Sequence, residues 1–282
     1  MEVISTAEAL REHLSDWRQA GEHIALVPTM GNLHEGHLSL VRMAREHAER
    51  VVVSIFVNPT QFAEGEDLES YPRTLERDTR RLKRLNVDLI FVPDIDTIYP
   101  FGTDNATSVT VPVLTDELCG SFRPGHFDGV TTVVSRLFGL VQPDVAIFGQ
   151  KDYQQQLIIR RMVEDLSLPI QIFVGPTVRE EDGLAKSSRN QYLSEGDRAV
   201  APALFAAIAG TGDKLRNGNR DFAELEKQAV NELAKSGFEP EYVSIRRAED
   251  MGEPDQGSRE LVILASAWLS EARLIDNLVI EL

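Results

Sequence analysis

Two histidines, His34 and His37, stand with Gly31 and Gly36 where an apolar run, Ile24-Ala25-Leu26-Val27, gives way to a helical pattern. That pattern sets Leu38 and Val41 on one side and Leu40, Met43, Ala44 and His47 on another. A strand that turns into a helix leaves backbone N–H groups unpaired at the positive end of the helix dipole. Such a place suits a bound phosphate. Imidazoles added there bring further donors or positive charge, which is the chemistry of handling a phosphorylated group.

Three motif readings compete for Met30-Gly31-Asn32-Leu33-His34-Glu35-Gly36-His37. A zinc protease needs two histidines one helical turn apart, His-Glu-x-x-His, and this spacing is one residue short. A P-loop needs Lys and Ser/Thr after its second glycine, and His37 and Leu38 stand there instead. The His-x-Gly-His signature of nucleotidyl-transferring α/β enzymes fits the residues as they stand. There the glycine lets ATP approach the backbone, and the imidazoles stabilise charge as pyrophosphate leaves. The plain alternative leaves both as surface histidines beside a turn.

Five further polar segments carry chemistry-bearing side chains. Asn58-Pro59-Thr60-Gln61 follows an apolar run and offers two amides, although Asn-Pro is also an ordinary turn starter. Tyr71 to Asp78 reads as a helix start whose charges form a solvated face, with Asp78 as a metal contact. Arg123-Pro124-Gly125-His126 fixes an irregular backbone around one cation and one imidazole. In Gly149-Gln150-Lys151-Asp152 a lysine stands at a helix start, a position that a bound anion makes favourable. Asp152 there has the alternative role of helix cap. Lys186-Ser187-Ser188-Arg189 places two hydroxyls between two cations, a pattern able to wrap a triphosphate or to form a plain interdomain loop.

The elements that must position these segments alternate. Strands are expected at 24–27, 51–57, 88–92, 145–148 and 170–174, with helices at 37–49, 75–85, 129–141 and 154–166. The run 51–57 reads as buried on both faces, the mark of a central parallel strand. The expected fold is α/β: a Rossmann-like doubly wound parallel sheet over residues 1–176, with ligands beyond the carboxyl ends of its strands. Residues 177–282 read as a smaller C-terminal α+β domain, a lid and hinge, with helices at 195–215 and 221–236 and strands at 241–246, 261–268 and 274–281.

Bulk properties narrow the partners. The formal net charge is −16, from 29 Lys+Arg against 45 Asp+Glu, which argues against a nucleic-acid or anionic-membrane surface. An anionic substrate then requires locally concentrated cations, helix N-termini and a divalent metal. One cysteine, Cys119, rules out an intrachain disulfide and fits a reducing, cytoplasmic setting. A small, partly buried thiol is expected there. The first residues lack a basic stretch followed by an apolar one, and no apolar run is long enough to span a bilayer.

Taken together, the segments 28–38, 53–62, 71–78, 123–134, 143–155 and 179–193 resemble the pantoate–β-alanine ligase family, in the family's order. The resemblance implies ATP-dependent condensation of pantoate with β-alanine through a pantoyl adenylate, with release of pyrophosphate and AMP. It implies that Met30 to His37 line the ATP site, with His37 as general acid and His34 and Lys151 beside it as catalytic groups. Gly149, Gln150, Lys151, Asp152, Val178, Lys186, Ser187, Ser188 and Arg189 complete that site. Gln61 would contact pantoate and β-alanine, and Gln155 pantoate, with Asn58, Arg123 and His126 as further contacts. Mg²⁺ would be held by ATP phosphates together with Asp78, and the enzyme would be a cytoplasmic homodimer. Two positions depart from the family pattern: Lys186 stands where Met is frequent, and Arg77 where some members are acidic. Two other functions share parts of this pattern. An adenylyltransferase acting on a phosphorylated substrate needs the histidines but not the Gln61 and Gln155 pair. A non-catalytic ATP sensor needs only the nucleotide contacts.

Overall fold

The computed structural model describes residues 1–63, 65–66 and 68–282. Two compact units emerge, one of Met1–Gly149 with Gln154–Gly175, the other of Gln150–Tyr153 with Pro176–Leu282.

The first unit holds a six-stranded parallel sheet of order β1-β4-β3-β2-β5-β6. Its strands are β1 (Glu2–Ile4), β2 (Ile24–Thr29), β3 (Arg50–Ile55), β4 (Leu89–Phe91), β5 (Val145–Gly149) and β6 (Gln171–Gly175). The helices are α1 (Ala7–Gln19), α2 (Glu35–His47), α3 (Leu75–Arg84), α4 (Ile95–Ile98), α5 (Cys119–Phe122), α6 (His126–Val141) and α7 (Tyr153–Asp165). Side chains alternate across a strand, so each central strand feeds two cores. Ile24, Leu26, Val52, Leu89, Phe91, Ala146 and Phe148 face one side, against Leu10, Leu14 and Trp17 of α1 and the apolar face of α6. Ala25, Val27, Val51, Val53, Ile90, Val145 and Ile147 face the other, against Leu40, Val41 and Ala44 of α2 and Leu82 of α3. Burial on both faces is why these strands read as continuous apolar runs. Cys119 is buried in the first of these cores.

From β2 the chain winds outward through β3 and β4, then returns to lay β5 and β6 on the other side of β2. The winding therefore reverses between β2 and β5, the place where open α/β sheets bind ligands at their carboxyl edge. The segment after β2 is the one that carries His34 and His37.

The second unit is an antiparallel sheet of order β7-β8-β9, formed by Glu239–Arg247, Glu260–Leu269 and Ala272–Glu281. Helices α8 (Glu195–Val200), α9 (Ala203–Arg216) and α10 (Phe222–Lys235) complete it, with Leu204, Ile208, Leu215, Leu225 and Leu233 packed on Ile245, Ile263 and Ile280. The single helix expected over 195–215 is two, because Pro202 has no N–H to continue the first. The β1–α1 pair was absent from the expected elements. Among the described residues no helix is long and apolar enough to cross a membrane.

One exposed valine holds a left-handed backbone conformation. Val113 has φ 72° and its side chain is 64% exposed. A left-handed conformation costs an L-residue roughly 1–2 kcal/mol, whereas glycine brings an entropic cost of roughly 0.5–1 kcal/mol. Val113→Gly is therefore expected to match or exceed the parent protein in a thermal unfolding scan. A midpoint several degrees lower would show that the valine side chain packs usefully.

Candidate active site

The turn from β2 into α2 is built around backbone donors. Gly31 and Asn32 both have positive φ, 81° and 49°. These conformations turn the chain so that the N–H groups of Asn32 and Leu33 both point at the Asp78 carboxylate, at 2.8 and 3.0 Å. Thr74 Oγ1 donates a third hydrogen bond to Asp78 at 2.9 Å, and the Asp78 side chain is fully buried. Arg77 reaches the Asn32 side-chain carbonyl, and Arg81 reaches the Leu33 carbonyl. Leu33 itself is 1% exposed and sits in the core with α2. Helix α3 thus staples the loop through three side chains.

His34 is the N-cap of α2. Its Nδ1 accepts the Gly36 N–H at 3.1 Å, while His37 Nδ1 accepts the His34 N–H at 3.3 Å. The two rings lie 4.1 Å apart between centroids. A backbone N–H only donates, so both Nδ1 atoms are acceptors and each neutral imidazole carries its proton on Nε2. The pair therefore offers two Nε2–H donors at a helix start that already favours anions. The glycine between them has a steric reason: a Cβ on Gly36 meets Cε1 and Nδ1 of His34 at 2.9 Å. Any larger residue drives the His34 ring out of its cap.

After β3, Asn58 caps a short 3₁₀ helix, Pro59–Gln61. Asn58 is fully buried and both ends of its amide are engaged. Its Nδ2 donates to Gln61 Oε1 and to the Gly129 carbonyl, each at 3.1 Å. Its Oδ1 accepts from the Tyr99 hydroxyl at 2.7 Å and from Thr60 Oγ1 at 3.1 Å. Gln61 Nε2 in turn donates to Met30 Sδ at 3.1 Å. Helix α6 presses directly on this turn, because a Cβ on Gly129 falls 2.4 Å from the Thr60 carbonyl oxygen. The Asn58 network thus ties Gln61 to Gly129, Thr60 and Tyr99.

A second layer lies behind it. Arg123 forms a two-pronged pair with Glu66, Nε and Nη2 each 2.6 Å from a carboxylate oxygen. Its Nη1 lies 3.0 Å from His126 Nε2, and His126 Nδ1 lies 2.7 Å from the Gln61 carbonyl. Burial raises the Glu66 carboxyl pKa, but the hydrogen bonds and charge of Arg123 outweigh it and leave the pKa below its ordinary value. A depressed carboxylate pKa contributes stability that is lost only as pH falls through the lowered value. The Glu66–Arg123 pair therefore persists below the pH at which free glutamates protonate.

In the second unit, the carbonyls of Gln150 and Lys151 both accept from Asn277 Nδ2 at 2.9 Å, which ties the Lys151 turn to β9. Residues 178–186 form a hairpin, with Lys186 N–H donating to the Val178 carbonyl at 2.9 Å. Ser187 caps the 3₁₀ helix Ser188–Tyr192 by accepting from the Arg189 N–H. Lys151 and Ser187 line one recess together with Asn190 and Asp276. Lys186 is paired with Glu180 at 2.7 Å.

The family model described as Pantoate-beta-alanine ligase matches residues 2–279. The chain belongs to the pantoate-β-alanine ligase family. A pantothenate synthetase from Thioalkalivibrio sulfidiphilus is 56% identical over 282 residues, 100% of this chain and 99% of that protein. One from Nitrosococcus oceani is 51% identical over the same length, again covering 99% of that protein. The crystal structure of pantothenate synthetase from Thermus thermophilus superposes with a TM-score of 0.92 at 46% identity, covering 99% of each chain. The pantoate-β-alanine ligase of Francisella tularensis, solved in complex with beta-gamma ATP and beta-alanine, gives 0.83 at 32% identity over 99% of this chain and 97% of that one.

Within this ligase fold, several expected site residues are engaged in hydrogen bonds of their own. Asp78 was expected to support a metal, but its carboxylate is buried and holds the loop after β2 through backbone N–H groups. Among the described residues no group of three or more His, Cys, Asp or Glu side chains converges as a metal site. Asn58, expected to contact substrate, has its amide consumed by Gln61, Gly129, Thr60 and Tyr99. Arg123 and His126, expected beside it, brace the Gln61 backbone, and the Arg123 charge is neutralised by Glu66. Gln155 is partly exposed and, among the described residues, makes no side-chain hydrogen bond. Tyr99, Thr74, Arg81 and Glu66 were missed. Thr74 lies inside the 71–78 segment but was given no role there, the other three lie outside the singled-out segments, and only three-dimensional proximity marks them.

Proposed function

We propose that this ligase joins pantoate to β-alanine in two steps. The pantoate carboxylate attacks the α-phosphorus of ATP and pyrophosphate leaves. The amine of β-alanine then attacks the acyl carbon of pantoyl adenylate, AMP leaves, and pantothenate is formed. The observation that carries this reading is the paired cap: His34 and His37 each accept a backbone N–H at Nδ1, which places the proton of each neutral ring on Nε2 at the start of α2. Pyrophosphate departure builds charge on phosphate oxygens, and fixed donors at a helix start stabilise it without reorganisation. No covalent enzyme intermediate is needed. Alignment of carboxylate and ATP alone can supply on the order of 7–11 kcal/mol of the barrier.

The remaining roles are those that the family resemblance implies. The N–H-rich turn at 30–36 and the His34 and His37 donors take the nucleotide phosphates. Gly149, Gln150, Lys151, Asp152, Val178 and the Lys186–Arg189 turn are assigned to ATP. Gln61 and Gln155 are assigned to pantoate, Gln61 because Asn58 and Met30 fix its amide in one orientation. Mg²⁺ is assigned mainly to the ATP phosphates, since the Asp78 carboxylate is fully buried and both its oxygens already accept hydrogen bonds. The same reading carries a cytoplasmic homodimer, whose mass light scattering measures.

ATP–pyrophosphate exchange tests the reaction. Exchange that depends on pantoate supports the ligase. Exchange that needs a phosphorylated partner instead, or nucleotide binding without exchange, removes this reading. Within it, Gln61→Ala is expected to raise the KM for pantoate by about tenfold or more, the effect of one lost buried hydrogen bond, with the KM for ATP little changed. Equal losses for both substrates would mean that Gln61 only supports its turn.

A further inference from the structure

The three-residue 3₁₀ helix that carries Gln61 is too short to hold its own geometry. Its side-chain end is fixed by Asn58 and Met30, each at 3.1 Å. Its backbone end is fixed chiefly by a different group, with Arg123 Nη2 adding a longer contact to the same carbonyl at 3.4 Å. The Gln61 carbonyl can only accept, so His126 Nδ1, 2.7 Å away, carries a proton and donates it. Arg123 can only donate, so His126 Nε2, 3.0 Å from Nη1, is bare and accepts. The ring is thereby held neutral in the Nδ1–H tautomer, opposite to the tautomer at His34 and His37. Arg123 keeps its own orientation through the two 2.6 Å bonds to Glu66. Every nitrogen of the guanidinium is engaged and its charge is cancelled, so it is poorly placed to attract a substrate carboxylate.

We propose that His126 is a positioning residue for pantoate: its Nδ1–H fixes the Gln61 carbonyl, and the Glu66–Arg123 pair fixes the ring tautomer that makes this donation possible. The inference rests on the reading of Gln61 as a pantoate contact. It assigns Glu66, Arg123 and His126 to one relay that acts through Gln61 and touches no substrate. The relay explains why an arginine, a glutamate and a histidine converge where no free charge results.

Three substitutions separate the links. Asparagine reproduces the Nδ1 donor but not the Nε2 acceptor. Glutamine reaches the Nε2 position but offers no donor at Nδ1. Alanine removes both. With the full-length enzyme, His126→Ala and His126→Gln are expected to raise the KM for pantoate by about tenfold, with kcat and the KM for ATP within about twofold of wild type. His126→Asn is expected to recover most of the loss. The ring nitrogens give a readout independent of turnover: a ¹⁵N–¹H correlation spectrum at neutral pH should show His126 protonated at Nδ1 and bare at Nε2. The opposite tautomer, an asparagine variant no better than alanine, or parallel losses for pantoate and ATP would overturn the proposal. A wild-type enzyme that exchanges pyrophosphate without pantoate brings down the reading of the reaction. A pantoate-dependent wild type whose His126→Ala variant keeps its pantoate KM brings down this inference alone.

Discussion

His37→Ala is expected to lower pantoate-dependent ATP–pyrophosphate exchange by on the order of 10²–10³-fold, the usual consequence of losing one donor aimed at developing charge. The same substitution also strips a cap, because His37 Nδ1 accepts the His34 N–H. Cap losses cost about 0.5–2 kcal/mol, so a modest fall in melting temperature accompanies the rate loss and must not be mistaken for its cause. Two further variants separate the effects. Asparagine places an acceptor near the Nδ1 position and keeps the cap, but has no donor at Nε2. Glutamine reaches the Nε2 position with an amide N–H but abandons the cap. His37→Asn is therefore expected to be as stable as wild type and as slow as alanine. His37→Gln is expected to be less stable but faster than either. Near-wild-type exchange by His37→Asn would remove the imidazole from the chemistry and leave it only a structural cap.

The His34–His37 cap was legible in one dimension because its own parts are local. The preceding strand, the caps and the glycine under the His34 ring all lie between positions 24 and 37. The parallel sheet was legible for a similar reason: strands buried on both faces appear as unbroken apolar runs. The loop contacts of Asp78 were hidden for the opposite reason. In sequence it is one carboxylate among arginines, and nothing there shows that the N–H groups of residues 32 and 33 converge on it. The contacts of Asn58, Arg123 and His126 were hidden in the same way. Polar residues in loops resemble ligand contacts until their partners are known, and here the partners are one another and Gln61. The β1–α1 pair failed on length and position. Three residues are too few to show a strand period. Helix α1, by contrast, has Leu10, Leu14 and Trp17 at helical spacing and its pattern was readable.

Asp78→Ala is expected to be the most damaging substitution outside the groups assigned to substrate. It removes the acceptor of two buried backbone donors and of Thr74 Oγ1 in one step. Hydrogen bonds to a charged group contribute about 1.5–3 kcal/mol each, and a buried donor left unpaired costs about 1–3 kcal/mol. The positive φ of Asn32 persists only while its surroundings enforce it, so the loop relaxes and moves the start of α2 with it. Loss of activity on the order of 10²-fold is expected from misplacing the donors by about an ångström, together with a clear fall in melting temperature. Asp78→Asn sharpens the test. It preserves size and one oxygen, yet turns an NH₂ group toward a backbone N–H, so it should rescue little. If Asp78 served chiefly as a metal ligand, excess Mg²⁺ would restore much of the lost exchange and thermal stability would hold. If it is the staple under the loop, stability and exchange fall together and added Mg²⁺ restores neither.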